Sequence, residues 1–101
     1  MASATTSQEI KLPEAKTLQY ATKLAIQKDK PILLDYFVDS CNGQCCIGRI
    51  ENGENILFKS PEEYTSSIKN ISKTSDEYII ETENSLYLLN NSVKIKKLSI
   101  G

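Results

Sequence analysis

Three cysteines, Cys41, Cys45 and Cys46, form the densest group of potentially reactive side chains in the sequence. A tetrahedral zinc site needs four cysteine, histidine or carboxylate ligands, but the chain has no histidine and no further cysteine. Neighbouring residues of a strand point to opposite faces, so Cys45 and Cys46 could not easily hold one ion together. We therefore expect half-buried strand thiols and one turn thiol. A metal site completed by Asp39 and a Cys41–Cys45 disulfide are the alternatives.

Other catalytic groups are sparse. The absence of histidine excludes imidazole as a base, proton shuttle or metal ligand. Asp35 and Asp39 are four residues apart, which would place them on one face of a strand, but solvated carboxylates are the simpler interpretation. The four glycines are scattered and form no phosphate-binding loop. The sequence thus predicts a protein that is not an enzyme, with no catalytic, cofactor-binding or metal-ligating residue and no cofactor.

The formal net charge of -1 hides an uneven distribution. Residues 1–30 carry +2, residues 31–93 carry -6 and residues 94–101 carry +3. The acidic middle opposes binding to nucleic-acid phosphates unless the lysines at 94, 96 and 97 act together with those of the amino-terminal region. Lysines on an edge strand also protect a sheet from pairing with other chains, and this is the role we expect for them.

The length of 101 residues suits a single domain. Residues 1–11 are small and polar and are expected to form a flexible arm, and residues 12–101 to form one small β-rich domain. The apolar runs are far shorter than the roughly 20 residues that span a bilayer, so no membrane partner is expected. The amino terminus lacks the basic and apolar stretches of a secretory signal, which predicts a protein that is not secreted.

A helix is predicted over residues 13–28. Pro13 suits a first helical turn, and good helix formers follow it up to the turn at Asp29. Leu18, Ala21 and Ala25 recur at helical spacing and should form the face that packs on the rest of the domain.

After this helix the apolar period changes from 3.6 to 2, which indicates strands. Residues 32–39 and 45–50 are expected to pair as a hairpin, and Asn52-Gly53 predicts a second hairpin with a type I′ turn. Ser60-Pro61-Glu62-Glu63 has the spacing of a capping box and predicts one helical turn. The remaining predicted strands are 55–59, 67–74, 77–82, 85–89 and 92–98. We expect an α+β, mainly β fold, in which the amino-terminal helix packs on a small antiparallel meander or half-open barrel of about six to seven strands.

Three stretches, Asp29–Tyr36, Lys59–Ile68 and Thr82–Leu88, together resemble small uncharacterised proteins encoded by giant and other large DNA viruses of protists and algae. The resemblance covers residues 15–90 approximately and implies a minor virion, capsid-associated or accessory protein, located in the virion or the host cytoplasm.

The absence of an evident active site, together with this resemblance, predicts a non-enzymatic protein-interaction module. Its expected partners are proteins, including virion proteins and further copies of the chain. The alternative is a small β-barrel associated with nucleic acid, because such barrels bind nucleic acids through aromatic residues and basic grooves.

Overall fold

The computed structural model describes residues 12–98, so the predicted arm at residues 1–11 lies outside the described residues. The predicted class, α+β and mainly β, is confirmed. Over residues 12–98, one long helix, one short helix and eight strands follow in the order α1 Ala15–Lys28, β1 Ile32–Leu33, α2 Phe37–Cys41, β2 Cys46–Arg49, β3 Asn55–Ser60, β4 Glu63–Tyr64, β5 Ile68–Lys73, β6 Glu77–Thr82, β7 Leu86–Asn90 and β8 Lys94–Lys97.

The strands form two four-stranded sheets. Sheet A has the order β1-β7-β6-β5 and sheet B the order β4-β3-β2-β8. The predicted antiparallel meander is present as β5-β6-β7. Both sheets are nevertheless mixed, because β1 pairs in parallel with β7, and β8 pairs in parallel with β2.

Alternation along β6 separates the interior into two apolar clusters. Ile79 packs with Ala21 of α1, whereas the next residue, Ile80, packs with Leu57 of sheet B. Both isoleucines are fully buried, and burial of such a side chain contributes roughly 1.5–3 kcal/mol. Sheet A is therefore the middle layer, with α1 on one face and sheet B on the other.

Two carboxylates of β6 anchor the ends of α1. The backbone N–H of Glu14, next to the start of the helix, donates to both carboxylate oxygens of Glu77, at 3.0 and 3.2 Å. Beyond the other end of the helix, the Lys30 ammonium lies 2.6 Å from the Glu81 carboxylate. Lys28 lies 3.4 Å from the same carboxylate. These cations lower the pKa of Glu81 below its ordinary value, mainly through the hydrogen bond from Lys30. Both glutamates are buried, so the anchors fix the position of α1 on the sheet.

The buried face of α1 is rotated from the predicted one. Ala21 is buried as expected, but its companion is Thr17, whose hydroxyl lies 3.0 Å from the Thr74 hydroxyl. Leu18 is exposed, and Ile26 is 77% exposed. The prediction considered apolar residues only. The hydrogen bond of Thr17 and the ion pairs of Glu81 instead turn a partly polar face of α1 toward sheet A.

The predicted strand over residues 32–39 is wrong beyond Leu33. The chain forms α2 instead, in which the N–H of Ser40 donates to the Tyr36 carbonyl at 2.9 Å. Tyr36 and Phe37 are both buried, but in different clusters, one on each side of sheet A. The predicted hairpin of residues 32–39 with 45–50 is therefore absent, and β2 pairs with β3 and β8.

The hairpin at Asn52-Gly53 is confirmed, but its turn is not type I′. Gly53 has a φ of 91°, whereas Asn52 does not have a positive φ. The N–H of Gly53 donates to the Ile50 carbonyl and that of Ile50 donates to the Glu54 carbonyl, both at 2.9 Å. This pattern matches a three-residue loop that ends in a left-handed residue.

The predicted helical turn at residues 60–63 is also wrong. This segment is the tight connection between β3 and β4, in which Ser60 pairs with Glu63. The Ser60 hydroxyl accepts the N–H of Glu62 at 3.3 Å, so the expected capping serine stabilises a turn instead.

Replacement of Glu77 by alanine should lower the free energy of unfolding by about 2 kcal/mol, because this substitution removes the acceptor at the start of α1 and the negative charge that the helix dipole favours. Urea unfolding followed by circular dichroism measures the change. Glu62→Ala is the matched control, since Glu62 is exposed, and its effect should stay within about 0.5 kcal/mol. Equal effects of the two substitutions would contradict the anchoring role of Glu77.

Candidate interaction surface

The three cysteines do not form one site. Cys45 and Cys46 are buried, Cys41 is half-buried at the end of α2, and all three are free thiols. Cys45 lies in the core cluster with Tyr36, while Cys46 pairs with Phe58 on the opposite face of sheet B. Within residues 12–98, no group of three or more histidine, cysteine or acidic side chains is placed to hold a metal ion.

The buried thiols are poorly suited to nucleophilic chemistry. Burial raises the pKa of Cys45 to about 11, and the nearby Asp39 carboxylate raises it further. Burial also raises the pKa of Cys46. The Sγ of Cys45 donates to the Tyr36 carbonyl at 3.7 Å. Because the thiolate is the reactive form, both thiols are largely inert at neutral pH.

Asp35 and Asp39, the two carboxylates that the sequence places four residues apart, both lie beside Lys59 in a structural cluster. The Lys59 ammonium lies 2.7 Å from the Asp39 carboxylate and 3.4 Å from that of Glu63. It also lies 4.5 Å from the centre of the Tyr36 ring, and Asp35 contributes only its backbone carbonyl, at 3.3 Å. The hydrogen bond to Asp39 raises the pKa of Lys59, so this lysine remains charged. The cluster holds α2 against β3 and β4.

The outer face of sheet B, which points away from sheet A, is partly aromatic. Strand pairing places Phe58 opposite Tyr64 on this face. The two rings are stacked, with centroids 6.2 Å apart and planes inclined by 26°. Phe58 is half-buried, whereas Tyr64 is 51% exposed. Sequence reasoning missed this pair, although a tight turn at Ser60-Pro61 would have indicated it.

A shallow groove of about 290 Å³ continues the outer face from Phe58 toward β8. Cys46, Lys96 and Leu98 contribute to its lining. A Cβ at Gly48, beside the groove, would overlap the side chain of Leu98 in its present position. Leu98 can therefore lie across the sheet next to Lys96.

Strand β8 forms one edge of sheet B, which confirms that the carboxyl-terminal lysines stand on an edge strand. All four of its residues are exposed, and Ile95 is 70% exposed. Lys97 pairs with Arg49 of β2. The edge strand thus presents three lysines and one exposed apolar side chain, and Arg49 lies beside Lys97 on the next strand. We call β8 together with the outer face of sheet B the basic surface.

Comparisons of the chain with protein-family models, with curated proteins and with solved structures found no match. The resemblance carried by the three sequence stretches therefore stays a prediction. In the described part of the chain, no helix has both the length and the apolar character needed to cross a membrane.

Iodoacetamide near neutral pH should modify the half-buried Cys41 first and Cys45 much more slowly, because the Cys45 side chain is buried and its raised pKa keeps the thiol protonated. Peptide mass spectrometry at timed intervals measures the rate at each position. In denaturant the three rates should converge. Faster modification of Cys45 than of Cys41 in the folded protein would contradict this description of the thiols.

Proposed function

We propose that the chain is a non-enzymatic protein-interaction module that binds its partner through the basic surface. The observation that supports this proposal is the combination of an exposed edge strand, β8, with an aromatic pair, Phe58 and Tyr64, on the same sheet. Tyrosine and phenylalanine are enriched at protein interfaces, and flanking charges select the partner and accelerate association.

The chemistry of the interior is compatible with this proposal. Lys59 is held between two carboxylates, and the Cys45 thiol is buried and protonated. Glu77 and Glu81 anchor α1. These groups serve the fold, whereas the charged groups of β8 make no ion pair within residues 12–98.

The resemblance to proteins of large DNA viruses extends the proposal to the class of partner. We propose a minor virion or accessory protein, located in the virion or the host cytoplasm, whose partners are other viral proteins. The three stretches that carry the resemblance contain β1, β4 and most of β7, so they include Tyr64 of the basic surface but not β8.

Nucleic-acid binding is the second candidate, and a specific observation favours it. Lys94 and Lys96 lie on the same face of sheet B as the Phe58–Tyr64 pair. Aromatic side chains beside basic residues form binding surfaces for single strands. The acidic balance of residues 31–93 opposes this function, because phosphates are repelled by it.

A photoreactive benzophenone amino acid at position 96 tests the proposed function in extracts of the source organism. We expect one dominant cross-linked protein, which an excess of unmodified chain displaces and which Tyr64→Ala weakens, because the contact includes the aromatic pair. The same amino acid at position 23, on the exposed side of α1, is the matched control and should give no such product.

Two results would contradict the proposed function. One is equal labelling from positions 96 and 23, which would indicate non-specific contact. The other is cross-linking to nuclease-sensitive material, together with oligonucleotide binding that weakens steeply with salt. This second result would favour the nucleic-acid candidate.

A further inference from the structure

We propose that the free edge of β8 binds an extended acidic segment of the partner protein as an added strand of sheet B. This inference rests on the proposed function and identifies the kind of partner segment. Within residues 12–98, β2 is the only strand that pairs with β8, so the opposite edge is available for another strand.

The backbone of β8 shows which groups face the free edge. The N–H of Leu98 donates to the Arg49 carbonyl of β2 at 2.8 Å. Successive residues of a strand direct their N–H and C=O groups to opposite sides, so Lys96 also bonds toward β2. Ile95 and Lys97 therefore direct their N–H and C=O groups outward. These four groups can bond an extended peptide in the manner of known strand additions.

The side chains of β8 define the sequence of the added strand. Lys94 and Lys96 lie on the outer face of sheet B, whereas Ile95 and Lys97 lie on the other side of the strand. Opposite charges placed directly across a strand pair stabilise it, and like charges destabilise it. An acidic residue is therefore expected opposite each lysine and an apolar residue opposite Ile95, which is 70% exposed. Read along the direction of β8, from Lys94 to Lys97, the expected pattern of the added strand is acidic, apolar, acidic, acidic.

Charge also argues against a second copy of β8 as the occupant, because lysines would then face lysines. The remaining edges of the two sheets are less suitable. β1 and β4 have only two residues each. β5 has an irregularity between Ile68 and Asn70 where its pairing register shifts. The lysines of β8 can thus prevent most strands from pairing with this edge, and they favour a strand that carries acidic residues.

A short peptide with the core Glu-Val-Glu-Glu is the probe, and its binding to the full chain is followed by amide NMR. We expect the largest shifts at Ile95 and Lys97 and slower exchange of their amide protons. Lys96→Glu should weaken binding about tenfold by reversing one charge contact. Lys23→Glu is the matched control, because it changes the net charge equally on the exposed side of α1 and should leave affinity nearly unchanged.

Two variants at one position separate strand pairing from simple charge attraction. Lys97→Ala and Lys97→Pro both remove the charge, but only proline removes the outward N–H. Proline at this position leaves the bonds of β2 to Lys96 and Leu98 in place. The proline variant should bind about fivefold more weakly than the alanine variant. A peptide N-methylated at alternate core residues tests the same bonds without changing the protein, and it should also bind more weakly.

Equal affinities for the alanine and proline variants, together with equal affinities for the plain and N-methylated peptides, would overturn strand addition. A peptide with lysines in place of its glutamates that binds equally well would overturn the acidic preference. In either case, persistent cross-linking of one protein from position 96 would leave the proposed function standing. Loss of that cross-link would contradict both the proposed function and the strand addition.

Discussion

The anchoring of α1 by strand β6 is the interaction on which the rest of the structure depends. Glu77 accepts the N–H of Glu14 near one end of the helix, and Glu81 binds Lys30 beyond the other. Between these anchors, Ile79 packs on Ala21. Separation of the helix from the sheet would take the Glu14 N–H from Glu77 and the two lysines from Glu81. For Glu81, loss of the partner from a buried ion pair costs about 3 kcal/mol or more. The two polar contacts of Glu77 and Glu81 thus fix the orientation in which α1 packs on Ile79.

The position of α1 determines which surface stays open. Sheet A is covered on one face by α1 and on the other by sheet B, whose residues Ile47 and Leu57 complete the core cluster around Ile80. Sheet B packs on sheet A through one face. On its outer face Cys46 and Ile56 are buried, whereas Tyr64 and the residues of β8 are exposed. The sequence concentrates its carboxyl-terminal lysines there, while the acidic residues are spread over the middle of the chain. The layer order and the charge distribution together thus produce the surface that we propose for a partner.

Local signals in the sequence predicted local structure well. The helix, the Asn52-Gly53 hairpin and strand Glu77–Thr82 were all predicted, because each depends on neighbouring residues. Long-range pairing was not predictable in this way. The parallel pairing of Ile32 with Leu86 and the bond of Glu14 to Glu77, 63 residues away, have no local signature. The alternation in residues 32–39 was misleading because Tyr36 and Phe37 each enter a separate apolar cluster. For the interaction surface, the sequence identified the lysines of the edge strand but not the aromatic pair across the turn.

Amide hydrogen exchange in the free protein tests the central claim that β8, in the part of the chain that the structure describes, has one paired and one open edge. The N–H groups of Lys96 and Leu98 should exchange slowly, because they face β2, and those of Ile95 and Lys97 should exchange quickly, because they face outward. This alternation along one strand is the result that the structure predicts. Slow exchange at Ile95 and Lys97 in the free chain would contradict it, because the proposed binding edge would then already be occupied.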